Sequence, residues 1–212
     1  MSNETPTLIY IFDPMCGWCY GFSDVIQKIH VQYKNRLSFE ILSGGMILDD
    51  QRAPIGRIAT YIRSANKIVE EISGVKFGEQ FINNILEPGT EILDSLTPSL
   101  AITAFKLFNP ALVFDFAHAL QKAFFYDGKS LNEVDTYVQL ANKFQLDSTL
   151  FLNLMRSEEV MQNTKGEFGL VYKWGINGFP TLVMKKENKA YLLSRGYSNY
   201  ESVKQLIDEM II

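Results

Sequence analysis

The chain holds only two cysteines, Cys16 and Cys19, and they stand where a strand pattern gives way to a helix pattern. Thr7-Leu8-Ile9-Tyr10-Ile11-Phe12 is a continuous β-branched and aromatic run, the mark of a strand buried on both faces. Asp13-Pro14 breaks it. From Cys16 to about Tyr33, the apolar residues Phe22, Val25, Ile26, Ile29 and Tyr33 recur at helical spacing. Leu37-Ser38-Phe39-Glu40-Ile41-Leu42 alternates into a second strand, closed by Ser43-Gly44-Gly45. The opening therefore predicts a strand–helix–strand unit with the cysteine pair in the first turn of its helix.

From about Arg52 to Gly175 the sequence carries helix signals and no convincing strand. Thr97-Pro98 and Asn109-Pro110 each read as an N-cap followed by proline at the first helical position. Asp127-Gly128 closes one helix and Asp147-Ser148 opens another. Ser157 caps a last helix whose first turn holds Glu158 and Glu159, favourable against its dipole. Leu112, Phe116, Leu120 and Phe124 share one face, which reads as core rather than as a cofactor box. Strand character returns at Thr181-Leu182-Val183-Met184 and Ala190-Tyr191-Leu192-Leu193. With the polar Lys185-Lys186-Glu187-Asn188-Lys189 turn between them, these predict an antiparallel hairpin. A closing helix from about Asn199 carries Val203, Leu206, Ile207 and Met210 on one face. The order predicts an α/β fold in which an all-helical insertion separates a βαβ half from a ββα half. Residues 1–48 and 175–212 would form one domain and 49–174 the inserted one.

A chain of 212 residues, 47% of them hydrophobic, can build its own core, so the cysteines are not needed as staples. The net charge of −4 and the lack of a Lys/Arg run argue against a nucleic-acid partner. Met1 to Thr7 has no positive n-region, and the apolar run Leu8 to Phe12 is shorter than a signal-peptide core or a membrane span. A cytoplasmic chain with no membrane partner is the expectation.

The pair itself suits redox chemistry. On a helix, residues three apart are neighbours, close enough for a disulfide after slight adjustment. A helix N-terminus also presents unpaired N–H groups and partial positive charge, which stabilise a thiolate. Cys16 sits closest to those groups and is the expected nucleophile, with Cys19 the resolving thiol one turn in. A zinc site would need a full ligand set, and the only further candidates are His30, more than two turns along the same helix, and His118, within the helical block. No metal is expected. A purely structural disulfide is disfavoured, since so short a crosslink removes little unfolded-state entropy. Downstream, Phe179-Pro180-Thr181 reads from its residues alone as a strand opened by an ordinary trans proline.

Cys16-Gly17-Trp18-Cys19 after a strand and Asp-Pro, followed far downstream by Gly178-Phe179-Pro180-Thr181, resembles the thioredoxin superfamily. The long helical insertion is similar to that of its DsbA branch, in particular the members without a leader. The resemblance covers nearly the whole chain. It implies a thioredoxin-like fold and a thiol–disulfide oxidoreductase that needs no cofactor, acting on protein or peptide thiols and disulfides, glutathione among them. It further implies that Pro180 is a cis-proline packed on the cysteine pair, and that Phe179 offers backbone groups to an extended client by strand addition. Trp18, Phe179, Pro180 and Thr181 are then the substrate-binding candidates, and the insertion face beside Trp18 is expected to line a substrate groove. Gly17-Trp18 departs from the Pro-His dipeptide of the best-known periplasmic member, so the motif leaves oxidase, isomerase and reductase directions open, and the oligomeric state is also open. Asp13 and Asp24 lie near the pair without an assigned role. Two other readings share the insertion. Kappa-class glutathione transferases and chromene-carboxylate isomerases bind glutathione and use one serine or cysteine, which a complete C-x-x-C argues against. A non-enzymatic adapter that presents a client to a protease is the other.

Overall fold

The computed structural model describes residues 5–187 and 189–211. In chain order the elements begin β1 (Thr7–Phe12), α1 (Gly17–Tyr33), β2 (Ser38–Ser43), β3 (Ala53–Pro54) and α2 (Ala59–Ser73). They continue with α3 (Glu79–Phe81), β4 (Ile92–Leu93), α4 (Leu96–Phe108), α5 (Val113–Phe125), α6 (Val134–Lys143), α7 (Ser148–Met155) and α8 (Glu158–Lys173). The hairpin β5 (Thr181–Lys186) and β6 (Lys189–Arg195) and the helix α9 (Tyr200–Met210) complete the chain. In the hairpin turn Glu187 takes a positive φ, and Asn188 lies outside the described residues.

The main sheet runs β2-β1-β5-β6, with β1 and β2 parallel and the other pairings antiparallel. Its register brings together two segments that are far apart in sequence. Ile11, near the end of β1, stands opposite Thr181, the first residue of β5. The chain leaving β1 toward Cys16 therefore meets the chain entering β5 through Pro180. This is the carboxyl end of the parallel pair, where open α/β sheets place their ligands.

Both faces of β1 are covered, which accounts for its unbroken apolar run. Leu8, Tyr10 and Phe12 join the main core with α1, α5 and α9, while Ile9 and Ile11 join a smaller cluster with Leu42, Val171 and Val183 beneath α8. The main core continues without a break into the helices between β2 and β5, where Phe105, Phe116, Phe124 and Phe151 are fully or almost fully buried. The expected α1 face, Phe22 through Tyr33, is buried as its spacing requires. On the α5 face Phe116, Leu120 and Phe124 are buried, but Leu112 lies in the preceding 3₁₀ turn, where the helical phase is lost, and is exposed.

The expectation of no strand in the helical block is corrected at one place. Ala53 pairs with Leu93 and Pro54 with Ile92 in a two-residue ladder too short for alternation to register in the sequence. The cap at Thr97 is likewise corrected. The Asp94 carboxylate accepts from the backbone N–H of Leu96 at 3.1 Å and from the Thr97 hydroxyl at 2.9 Å, so α4 starts before Thr97 and Pro98 falls inside its first turn. Asp147 and Ser157 cap α7 and α8 as expected, accepting from Leu150 N–H and Val160 N–H.

Candidate active site

β1 delivers the chain into a tight turn. The Asp13 carbonyl accepts from Cys16 N–H at 3.1 Å and one of its carboxylate oxygens from Met15 N–H at 2.9 Å. That turn sets Cys16 at the N-cap of α1, in extended conformation (φ −89°, ψ 114°), with its carbonyl accepting the first helical bond from Tyr20 N–H. Cys16 is 7% exposed and Cys19, one turn in, is 0% exposed; both are free thiols. The Cys16 thiol donates to the Phe179 carbonyl at 3.6 Å across 163 residues of sequence, and the Phe179–Pro180 bond is cis, as the resemblance implies.

The other sequence-derived candidates take distinct positions. Pro180 is buried, and its carbonyl accepts from Gly196 N–H at 2.7 Å. Thr181 is buried too, with its hydroxyl donating to the Gly178 carbonyl at 2.7 Å, so it braces the turn and does not reach the thiols. Trp18 is half-buried and tilts against the Tyr197 ring at 6.1 Å. Of the histidines, His30 stacks on Phe114 and meets Phe39 edge-on, each at 4.8 Å, and His118 lies on α5. Among the described residues no three His, Cys, Asp or Glu side chains gather where a metal ion could be held.

Burial dominates the electrostatics. It raises the Cys19 thiol well above the ordinary range, reinforced by the neighbouring Cys16 sulfur and by the Asp13 carboxylate. Asp13 is itself 0% exposed, and burial lifts its carboxyl from 3.8 to about 6 against the opposing pull of three hydrogen bonds. Those bonds come from Met46 N–H at 2.7 Å, Met15 N–H at 2.9 Å and the Ser95 hydroxyl at 2.8 Å. Ser95 in turn accepts from Ile47 N–H at 3.0 Å. One carboxylate thus ties the cysteine turn to the loop after β2 and to the start of α4.

That loop carries a second feature the sequence concealed. Gly44 and Gly45 were legible only as the end of a strand, yet a Cβ on Gly44 would lie 2.2 Å from the Phe179 ring. The missing side chain is what lets Phe179 lie across the loop. Glu167 on α8 holds the preceding residue in place, accepting from Ser43 N–H at 2.8 Å while pairing with Lys106. Phe179 consequently stands as a wall between two clefts. One, of about 310 Å³, is lined by Cys16, Trp18, Ile58, Tyr61, Asn66 and Phe179. The other, of about 520 Å³, is lined by Gly44, Gly45, Leu48, Phe168 and Tyr172 on its far side. Gly44→Ala pushes the ring into one of these clefts. Because the clash falls on the end of a half-exposed side chain, the expected stability cost is only about 1 kcal/mol. Exchange with a peptide disulfide is expected to fall about tenfold. Unchanged peptide kinetics in a folded Gly44→Ala protein would show that the position of Phe179 is irrelevant.

Comparison with known proteins agrees with this architecture. The sequence model of a family described as Thioredoxin matches residues 10–205. A candidate protein disulfide isomerase from Nitrosomonas europaea superposes with a TM-score of 0.88, at 31% identity over 98% of both chains. The cytosolic disulfide reductase DsbM from Pseudomonas aeruginosa, also solved with GSH, superposes with a TM-score of 0.81, at 21% identity over 97% of this chain and 98% of that one. Among curated sequences, the ClpXP adapter protein SpxH of Halalkalibacterium halodurans is 22% identical over 99% of this chain and 69% of its own length.

Proposed function

Since this chain belongs to the thioredoxin family, within its DsbA-like branch of thiol–disulfide oxidoreductases, we propose that Cys16 attacks client disulfides and that Cys19 resolves the mixed disulfide. In the reducing direction the Cys16 thiolate attacks one client sulfur, forming a Cys16–client bond and releasing the other sulfur as a thiolate. Cys19 then attacks Cys16 Sγ, the internal disulfide forms, and the second client sulfur leaves. Two electrons pass from the protein dithiol to the client, and the oxidising direction is the same path reversed. The observation that carries this assignment is the placement of the two thiols. Cys16 stands at the helix N-cap on the wall of a cleft, and Cys19 is wholly buried behind it. Trp18 and Phe179 line the side from which a client approaches, with Pro180 and Thr181 holding the Phe179 turn, and Ile58 and Tyr61 of the helical block complete the cleft.

Clients are peptide or protein thiols and disulfides, glutathione included, a reading supported by the likeness to DsbM, solved with GSH. A cytoplasmic setting is supported by the same likeness, DsbM being a cytosolic reductase by name. No helix among the described residues is long and apolar enough to cross a membrane.

Equilibration in glutathione buffers, followed by Trp18 fluorescence, tests the reading and fixes the direction. A potential of about −120 to −180 mV marks an oxidase or isomerase, and about −270 mV a reductase. If no internal disulfide formed at any glutathione ratio, the dithiol assignment would fail. The adapter reading, favoured by the SpxH relatives, would then take its place, with partner binding that survives Cys16→Ser.

A further inference from the structure

Tyr10 is a buried titratable group that the exchange steps above do not use. It sits in the middle of β1, 2% exposed, between Ile41 of β2 and Leu182 of β5. Its ring is fixed among Phe12, Phe22 and Phe114, with centroids at 5.3, 5.8 and 6.2 Å. Its hydroxyl is sealed from solvent and has no hydrogen-bond partner in good geometry among the described residues. A buried hydroxyl left so is costly and calls for a reason. Tyr10, Cys16 and Cys19 share the main core, and the two cysteines are the titratable side chains close enough to act on its hydroxyl.

Cys19 needs such a neighbour. To resolve a mixed disulfide it must carry negative charge, yet burial, the Cys16 sulfur and the Asp13 carboxylate all oppose that charge, against the pull of the Asp13 backbone. Tyr10 has the complementary problem: burial and the two sulfurs hold its proton on, so it remains a donor. Resting on the dithiol reading above, we propose that Tyr10 Oη–H is a preorganised donor for Cys19 Sγ, idle while Cys19 is a neutral thiol and engaged as charge develops there. A donor fixed in a dry site before charge appears does not have to reorganise at the moment of reaction, which is where such groups are most effective. In the step it serves, Cys19 loses its proton and bonds to Cys16 Sγ, and the Cys16–client bond breaks. The departing client thiolate ends with the proton, while Tyr10 keeps its own throughout. Tyr10 acts through Cys19 and is a positioning residue.

Tyr10→Phe tests this, since it keeps the ring in its nest and removes an oxygen that makes no other bond. The reduced protein is mixed with oxidised glutathione in single turnover, followed by Trp18 fluorescence and by mass spectrometry of quenched samples. At low glutathione disulfide the rate is second order and reports attack by Cys16. At high concentration it saturates at the unimolecular collapse through Cys19. The substitution is expected to slow the collapse about 10- to 100-fold, the range for a hydrogen bond to a charged group, and to alter the second-order rate less than about twofold. An unchanged collapse rate, or an equal loss in both rates, would overturn the proposal. If the wild-type protein itself accumulated the glutathione adduct without collapsing, the dithiol reading would fall and this inference with it, an outcome separable from the others because it appears before any substitution.

Discussion

Cys16→Ala is expected to lower thiol–disulfide exchange by at least about 1,000-fold, the scale of loss when a covalent nucleophile is removed. Far-UV circular dichroism and the urea midpoint should stay close to wild type. Cys16 is small, sits at the N-cap and makes no side-chain capping bond, so alanine removes one thiol contact to Phe179 and little packing. Cys19→Ala is expected to behave differently. The first attack survives, the mixed disulfide cannot collapse, and mass spectrometry finds the client attached to Cys16. Trapping with the second variant and silence with the first is the signature of an ordered pair. Substantial exchange activity in Cys16→Ala would overturn the assignment, because the chain has no other cysteine besides Cys19.

The second large effect concerns stability. Asp13 titrates near 6 in the folded protein against 3.8 ordinarily, so its neutral form is the one the fold prefers. A raised carboxyl value contributes stability that is complete below about 4 and is lost as pH climbs through about 6. At roughly 1.4 kcal/mol per pH unit, the span amounts to about 3 kcal/mol. Ionised groups elsewhere work in the opposite sense: Asp208, for example, is held below its usual range by hydrogen bonds from Lys204 and Tyr33. The contribution of Asp13 must therefore be read by difference. Urea unfolding of wild type and Asp13→Asn between pH 4 and 7 should show the wild type losing about 3 kcal/mol relative to the variant as pH rises. A constant difference across that window would mean that the Asp13 carboxyl titrates normally in the folded state. Asp13→Ala is the harsher change, since it strands two backbone donors and the Ser95 hydroxyl at once.

The elements that position the thiols were legible because their signals are local. β1 runs over the residues its apolar run marks, α1 begins where the cysteine pair does, and the hairpin forms where expected, although its strands extend through Lys185, Lys186 and Lys189 of the expected turn. What the sequence hid depends on contacts between distant segments. Nothing near Asp13 announces that Met46 and Ser95 will converge on it, and Gly44 reads as the end of a strand until Phe179 is seen lying across it. Tyr10 was hidden differently: inside a uniformly apolar strand it is indistinguishable from packing, and only the packing of α1 on β1 brings Cys19 into the same core. The β3–β4 ladder escaped because two residues cannot display a period.

Cys16 and the Phe179 carbonyl it meets are separated by 163 residues. A ribosome adding about 5–20 residues per second makes the first of them roughly 8–33 s before the second. Throughout that interval the nascent chain carries both thiols with β5, β6 and α9 still unmade. It can be oxidised, but it lacks Phe179 and with it the wall between the two clefts. Under the function proposed above, client recognition is therefore among the last properties the chain acquires during synthesis, although the two thiols are among the first residues to be made.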